Sequence, residues 1–373
     1  MRAGDDSGGK AAARAARQAA NRAQRLALRE ARRVGRRLQH SAPGVPAGPF
    51  NILAVGQGQR LGQQALLLAA SLRRNAPDWR GRLIIAEPQP VAAWEGCDTR
   101  MPAALHLALA DFGAEILPLV ARHFGHSYPH GNKIEALALL PEAEPFLFLD
   151  SDTLVTGPLE RVGFDFSRPS ASMRRSNTWP EPPLYGPGYA DIWRALHQRF
   201  GLDFDSSLDP SQPEEHWERY LYFNAGWFYG ADPRAFGRRF LDWALAIRAA
   251  PGEVLACQSL DPWLDQITLP LVIHALGGGR PGPELAGLDG WATCHYRNLA
   301  LLYAREPAPV LDLIESLAAD PRIAPHLQDE ASERLIRRGG GRRLIRPMFA
   351  KQDPPPPEKT MRHRLRQAGL WLR

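Results

Sequence analysis

Two carboxylates, Asp150 and Asp152, are separated by one residue and directly follow the apolar run 145–149. A run that is apolar on both faces predicts a central strand of a parallel sheet, with the two side chains in the turn at its end. Mg²⁺ and Mn²⁺ prefer oxygen ligands, and they commonly combine one or two protein carboxylates with phosphate oxygens and water. The pair therefore predicts a divalent cation held against a phosphorylated ligand. The alternative is an ordinary acidic turn after a strand.

The segments around this pair predict an α/β fold. Short apolar runs alternate with helical patterns from residue 50 onward, which is typical of right-handed βαβ units in a sheet covered on both faces. In such sheets ligands bind at the carboxyl ends of the strands, where Gln57 and Asp150 both fall. The predicted strands are 50–55, 82–86, 114–117, 145–149, 222–229 and 290–296, and the predicted helices are 63–74, 233–248 and one that opens at 265.

Further short motifs accompany the Asp-Ser-Asp triplet in a fixed order. ILAVGQGQ (52–59) precedes it, and Asn-Ala-Gly (224–226), Asp-Gln (265–266) and a late His295 follow it. This ordered set, which spans residues 50–300, resembles the GT-A glycosyltransferases. It is nearest to family 8, with its glycogenin-like and lipopolysaccharide galactosyltransferase-like members.

The resemblance implies a nucleotide-diphospho-sugar transferase fold, in which a mixed, mostly parallel sheet is flanked by helices. It also implies transfer of a sugar from a nucleotide-diphosphate sugar, a UDP-sugar, to a glycan or lipid-linked acceptor. The implied cofactor is Mn²⁺ or Mg²⁺, which would offset the charge on the diphosphate leaving group.

The resemblance, joined to side-chain chemistry, assigns roles to individual residues. The expected metal ligands are Asp150, Asp152 and His295; the expected donor-binding residues are Gln57, Lys133, Asp150, Asn224 and Gly226; and the expected catalytic residues are Asp265 and Gln266. Structural alternatives exist for several of them. His295 could pack beside Tyr296, Lys133 could be a solvated helix lysine, Asn224 and Gly226 could form a bulge, and Asp265 could cap a helix.

Two other functions compete with sugar transfer. A haloacid-dehalogenase-like phosphatase also begins with an apolar strand and Asp-x-Asp, but it has Thr or Val where Leu154 stands here, and its motif lies near the N-terminus. A non-catalytic adaptor could instead bind a membrane or a nucleic acid through basic ends. Nucleic acid is not expected as a partner, because the body of the chain is acidic.

Charge is distributed unevenly along the chain. Residues 1–40 contain eleven Lys/Arg and three Asp/Glu, residues 334–373 contain twelve and two, and the remainder contains 23 and 35. Two interpretations of these basic ends stay open, a solvated charged helix and docking on an anionic membrane surface. The expected organisation is a basic Ala/Arg-rich helix at 1–40, a linker at 41–49, a GT-A domain at 50–330 with an acceptor-side insertion at 165–220, and a basic tail at 331–373 with a polyproline spacer and an amphipathic, interfacial end.

The expected location is cytoplasmic and peripheral at a membrane. No apolar run is long enough for a transmembrane helix, and the start of the chain lacks the pattern of a secretory signal. The three cysteines are scattered and have no CxxC spacing, which indicates a reducing compartment.

Overall fold

A mixed sheet of six strands forms the centre of the protein. The computed structural model describes residues 48–174, 179–350, 352 and 355–372. The predicted helix at 1–40 and the linker up to residue 47 lie outside these residues. The strands of this sheet and of a second, two-stranded one are β1 (Asn51–Val55), β2 (Leu83–Pro88), β3 (Ala114–Leu119), β4 (Phe146–Leu149), β5 (Thr153–Val155), β6 (Ala171–Ser172), β7 (Asn224–Gly230) and β8 (Thr293–His295).

The order of strands in the main sheet is β3–β2–β1–β4–β7–β6. β1 pairs in parallel with β2 and β4, and β2 pairs in parallel with β3. β7 is antiparallel to β4, and β6 is antiparallel to β7. The predicted mixed, mostly parallel sheet is therefore confirmed. The late strand is shorter than predicted, and it pairs with β5 outside the main sheet.

The helices begin and end close to the predicted positions, except that α1 starts five residues earlier and directly follows Gln57. They are α1 (Gly58–Asn75), α2 (Ala103–Asp111), α3 (Asn132–Glu135), α4 (Tyr189–Arg199), α5 (Pro233–Ala249), α6 (Leu264–Ala275), α7 (Leu299–Arg305), α8 (Ala308–Ala318), α9 (Arg346–Phe349) and α10 (Glu358–Gln367). None of these described helices combines the length and the apolar composition needed to cross a bilayer.

Two hydrophobic layers cover the opposite faces of the main sheet. Side chains alternate between the faces of a strand, so Leu147 and Leu149 of β4 enter one layer while Phe146 and Phe148 enter the other. All four are at most 1% exposed. This two-sided burial explains why the run before Asp150 is apolar at every position, and it places the end of β4 within the core.

Residues of the range 165–220, the predicted insertion, contribute to the second layer. Trp179 and Trp193 are buried there, with their rings edge to face at 5.4 Å between centroids. Leu184 and Tyr185, by contrast, are 96% and 95% exposed. The two buried indoles therefore serve core packing rather than sugar stacking.

The C-terminal segment packs into the same core as the rest of the domain. Met361 and Leu365 of α10, and Leu370 after it, are at most 4% exposed and lie in the layer that also contains β1 and α1. The structure thus differs from the predicted interfacial helix, because the apolar side expected to face lipid is covered by protein. Composition alone describes an amphipathic helix without saying what covers its apolar face.

Candidate active site

The Asp-Ser-Asp triplet lies in the turn between the two sheets. Asp150 directly follows β4, and its backbone N–H donates to the carbonyl of Gly226 in β7 at 2.8 Å. The chain then enters β5, whose Thr153 pairs with His295 of β8. The backbone N–H of Tyr296 also donates to the carbonyl of Asp152 at 3.0 Å. This pairing brings a histidine from late in the sequence to the carboxylates.

Asp150, Asp152 and His295 form a group that fits a divalent cation. Each offers one ligand atom, and these atoms all lie within 4.8 Å of one another. His295 Nε2 is 3.1 Å from Asp152 Oδ1 and 3.7 Å from Asp150 Oδ2. Ligands on one octahedral Mg²⁺ or Mn²⁺ are about 3 Å apart, so only small adjustments are needed. Burial would raise the pKa of the Asp152 carboxyl, but His295 and Lys133 lower it below its usual value.

Gly226 provides the space that His295 occupies. A Cβ added to Gly226 would lie 2.2 Å from His295 Nδ1 and 2.7 Å from Asn224 Oδ1. The register of the β6–β7 ladder also shifts here, since Ala171 faces Phe228 whereas Ser172 faces Asn224. The irregularity considered in the sequence is therefore present, and it accompanies the close approach of the imidazole.

Gly226→Ala is expected to weaken Mn²⁺ binding about 10- to 100-fold, because the added methyl group would displace the His295 ring from the two carboxylates. Titration of Mn²⁺ followed by calorimetry measures this effect. Gly279→Ala is the matched control, since no heavy atom lies within 4 Å of a Cβ at that position. Unchanged Mn²⁺ affinity in the Gly226 variant would show that His295 does not bind the ion.

Lys133 of α3 is a buried cation between two carboxylates. Its Nζ is 2.9 Å from Asp150 Oδ1 and 3.4 Å from Asp265 Oδ2, and it donates to the carbonyl of Ala225 at 3.1 Å. The side chain is only 9% exposed. Burial would lower the pKa of the ammonium group, but Asp150 and Asp265 raise it above its usual value. The alternative of a solvated helix lysine is therefore excluded.

Asp265 holds this lysine from the second position of α6. It is 2% exposed, and its Oδ1 accepts a hydrogen bond from the hydroxyl of Tyr128 at 2.7 Å. The residue that precedes α6 is Trp263, so Asp265 is not the helix cap considered in the sequence. Both carboxylate oxygens thus have a partner inside the protein.

Polar side chains with fixed orientations surround this centre. Asn132 donates to Gln57 Oε1 at 3.1 Å and accepts from the indole of Trp94 at 3.0 Å. The hydroxyl of Tyr222 donates to Gln266 Oε1 at 3.0 Å. Asn224 Oδ1 accepts from the backbone N–H of Gly226 at 2.9 Å.

A cavity of about 390 Å³ opens beside the two carboxylates. This volume falls in the range of small-molecule sites, roughly 300–1,000 Å³. Four of the predicted residues line it, namely Gln57, Lys133, Asp150 and Asp152. Within the described part of the chain, the other five predicted residues are not part of this wall, namely Asn224, Gly226, Asp265, Gln266 and His295.

The cavity wall also contains residues that the sequence did not single out. Arg60, His130, Asn132 and Arg297 are among them. For Arg297 a signal was available, because it lies two residues after the candidate ligand His295. Asn132 offered the same kind of signal, because it directly precedes the candidate donor-binding residue Lys133.

Comparison with known proteins agrees with this geometry. Residues 52–277, more than half of the chain, match the family described as the Rhodobacterales glycosyltransferase domain. No curated protein matches the chain.

Several solved structures match the chain at low sequence identity and with TM-scores below 0.5. The galactosyltransferase LgtC, in complex with donor and acceptor sugar analogues, is 15% identical with a TM-score of 0.42, over 73% of this chain and 98% of its own. The bifunctional glycosyltransferase WbbM is 12% identical with a TM-score of 0.43, over 76% and 52%. The glycosyltransferase GlyE of Streptococcus pneumoniae TIGR4 is 13% identical with a TM-score of 0.34, over 63% and 46%. The match over residues 52–277 shows that the chain belongs to the Rhodobacterales glycosyltransferase domain family, and it is a glycosyltransferase.

Proposed function

We propose that this glycosyltransferase moves a sugar from a nucleotide-diphosphate sugar, a UDP-sugar, to a glycan or lipid-linked acceptor, with Mn²⁺ or Mg²⁺ as its cofactor. The observation that carries the proposal is the group Asp150, Asp152 and His295, whose ligand atoms lie within 4.8 Å of one another beside the cavity. A bound cation would act as a Lewis acid on the diphosphate leaving group. The family assignment leaves no support for the phosphatase and the non-catalytic adaptor.

The remaining predicted residues have separate tasks in this proposal. Lys133 offsets the charge of Asp150, and the ion pair with Asp265 fixes the position of Lys133. Gln57 would contact the donor from the start of α1, since it lines the cavity. Asn224 and Gln266, both held by hydrogen bonds, would contact the donor sugar, and Gly226 makes room for His295.

The test is a panel of nucleotide-sugars with the full chain and Mn²⁺. Slow hydrolysis of a donor in the absence of acceptor, and binding of the matching nucleoside diphosphate by calorimetry, are the expected results. Chelation of the metal should remove both signals. If no nucleotide-sugar is hydrolysed and no nucleoside diphosphate binds with or without Mn²⁺, the proposed donor class is wrong.

The organisation of the chain suggests where this reaction takes place. We propose a cytoplasmic enzyme at a membrane surface, with residues 1–40 as a basic arm that docks on anionic lipid and residues 165–220 on the acceptor side. The support is the charge of the arm, with eleven Lys/Arg against three Asp/Glu. Each basic residue near an anionic surface contributes about 1 kcal/mol.

The full chain is expected to co-sediment with phosphatidylglycerol vesicles and not with phosphatidylcholine vesicles, because the attraction is electrostatic. A variant that lacks residues 1–40 should lose this binding and keep donor hydrolysis in solution. Vesicle binding that survives the deletion would show that the arm is not the docking element.

A further inference from the structure

Arg297 reaches the cavity from the loop after β8. It lines the same cavity as Asp150 and Asp152, and its side chain is 11% exposed. Its backbone has φ of +63°, in the left-handed region that residues other than glycine rarely adopt. Such a conformation costs about 1–3 kcal/mol and persists only where surrounding contacts impose it. The contacts of Arg297 therefore identify the residues that hold it in this conformation.

The contact that fixes the guanidinium comes from the C-terminal helix. Glu358, the first residue of α10, accepts from Arg297 Nη1 at 2.9 Å and from Arg305 Nη1 at 2.6 Å. Arg297 Nη2 also donates to the carbonyl of Arg174 at 2.6 Å. The Glu358 side chain is 11% exposed, and α10 is anchored in the core by Leu365. A helix far from the Asp-Ser-Asp triplet in sequence thus sets the position of a cavity residue.

Positive charge exceeds negative charge in the network around Arg297. We define this arginine network by its hydrogen-bonded members, the arginines Arg174, Arg297, Arg305 and Arg362 and the glutamates Glu306 and Glu358. Four guanidinium groups therefore share two carboxylates. Arg174 and Arg362 are 36% and 31% exposed, so solvent screens part of this excess, whereas Arg297 and Arg305 are 11% and 10% exposed. Of the six members, Arg297 is the one that lines the cavity, so an anion bound there would lie beside this arginine.

Chemistry identifies which anion would complete the network. A guanidinium has five N–H donors, and two of those on Arg297 are used within the described part of the chain. Its planar fork suits two phosphate oxygens at once. The anionic part of the proposed donor is a diphosphate, and Asp150 and Asp152 in the same wall are the proposed ligands of its counter-ion.

We propose that Glu358 of the C-terminal helix positions Arg297 to bind the diphosphate of the nucleotide-sugar donor. This inference rests on the proposed function. It makes α10, which the sequence alone suggested was a membrane-facing tail, a structural part of the donor site. Arg297 is then the binding residue, and Glu358 is a positioning residue that acts through it.

The test separates diphosphate recognition from recognition of the nucleoside. Affinities for UDP by calorimetry and for uridine by ligand-observed NMR are measured for the full chain with Mn²⁺. Arg297→Gln is expected to weaken UDP binding roughly 10- to 100-fold, as for other hydrogen bonds between charged groups, and to leave uridine binding unchanged. Arg297→Lys keeps the charge and loses the planar fork. Its affinity for UDP should therefore lie between that of the wild type and that of Arg297→Gln.

Glu358→Gln should also weaken UDP binding, by a smaller factor than Arg297→Gln does. The double variant Arg297→Gln/Glu358→Gln should bind UDP no more weakly than Arg297→Gln alone, because Glu358 acts through Arg297. Glu333→Gln is the matched control, since Glu333 pairs with Arg338 at the surface, where the two side chains are 38% and 71% exposed.

Two results would overturn the inference and leave the proposed function intact. One is wild-type UDP affinity in both Arg297 variants. The other is a Glu358 variant in which thermal stability falls while the ratio of UDP to uridine affinity stays at the wild-type value. A wild-type chain that binds no nucleoside diphosphate would overturn the proposed function itself.

Discussion

Asp152→Asn is expected to reduce donor turnover by about a thousand-fold, or roughly 4 kcal/mol of transition-state stabilisation. The substitution keeps the size of the side chain and removes the charge that faces His295 Nε2 at 3.1 Å. The fold should be retained, because the backbone bonds of this turn, including that from Tyr296 to the Asp152 carbonyl, are unaffected. Turnover is measured as Mn²⁺-dependent hydrolysis of the donor found in the panel.

Asp242→Asn is the control for this substitution. Asp242 is an exposed residue of α5, remote in sequence from every predicted ligand, so the same chemical change should leave turnover at the wild-type level. The metal site would be wrongly assigned if the Asp152 variant kept Mn²⁺-dependent turnover within a few-fold of wild type.

Lys133→Met is expected to destabilise the protein by about 3–5 kcal/mol and to abolish turnover. Removal of the ammonium leaves Asp265, which is 2% exposed, as a buried carboxylate without its cation. Asp150 would lose its partner at 2.9 Å in the same step. The free energy of unfolding in urea measures the first effect, and donor hydrolysis measures the second.

A second substitution separates the two effects. Lys133→Met/Asp265→Asn removes the uncompensated charge, so stability should recover in large part while turnover stays low. Lys359→Met, at an exposed position of α10, should change stability by no more than about 0.5 kcal/mol. If the single Lys133 variant were as stable as the Lys359 variant, Lys133 would not be the structural cation that its contacts indicate.

Local patterns were sufficient to predict the strands and the carboxylates. The run before Asp150 is apolar at every position because β4 is buried on both faces, and that pattern is readable without any partner strand. The position of Gln57 at the end of β1 followed from the same rule about strand ends.

Contacts between distant segments could not be predicted in this way. His295 lies beside Asp152 because β5 pairs with β8, and no local pattern specifies which short strand pairs with which. The steric need for Gly226 arises from the same pairing, since the close neighbour is the imidazole itself. The resemblance suggested His295 as a ligand, but only the structure shows how the chain brings it there.

The C-terminal segment illustrates a different limit of prediction from sequence. The pattern of Met361, Leu365 and Leu370 correctly indicated an apolar side, and the prediction of lipid as its partner was wrong. Hydrophobic burial is non-directional. A sequence therefore shows that such an apolar side must be covered, but it does not show which surface covers it. The hydrogen bond from Arg297 to Glu358 shows a related limit, because Glu358 lies sixty-one residues later in the chain and no local pattern links the two.

The burial of α10 in the central core has a consequence for biosynthesis. The layer that contains β1 also contains Leu365 and Leu370, so it stays incomplete on the ribosome until those residues have been translated and released from the exit tunnel. A nascent chain that ends before α10 exposes apolar surface and leaves Arg297 without its carboxylate. Prematurely terminated products should therefore aggregate or be degraded rather than act on the donor. Active enzyme is expected only from chains translated through this helix.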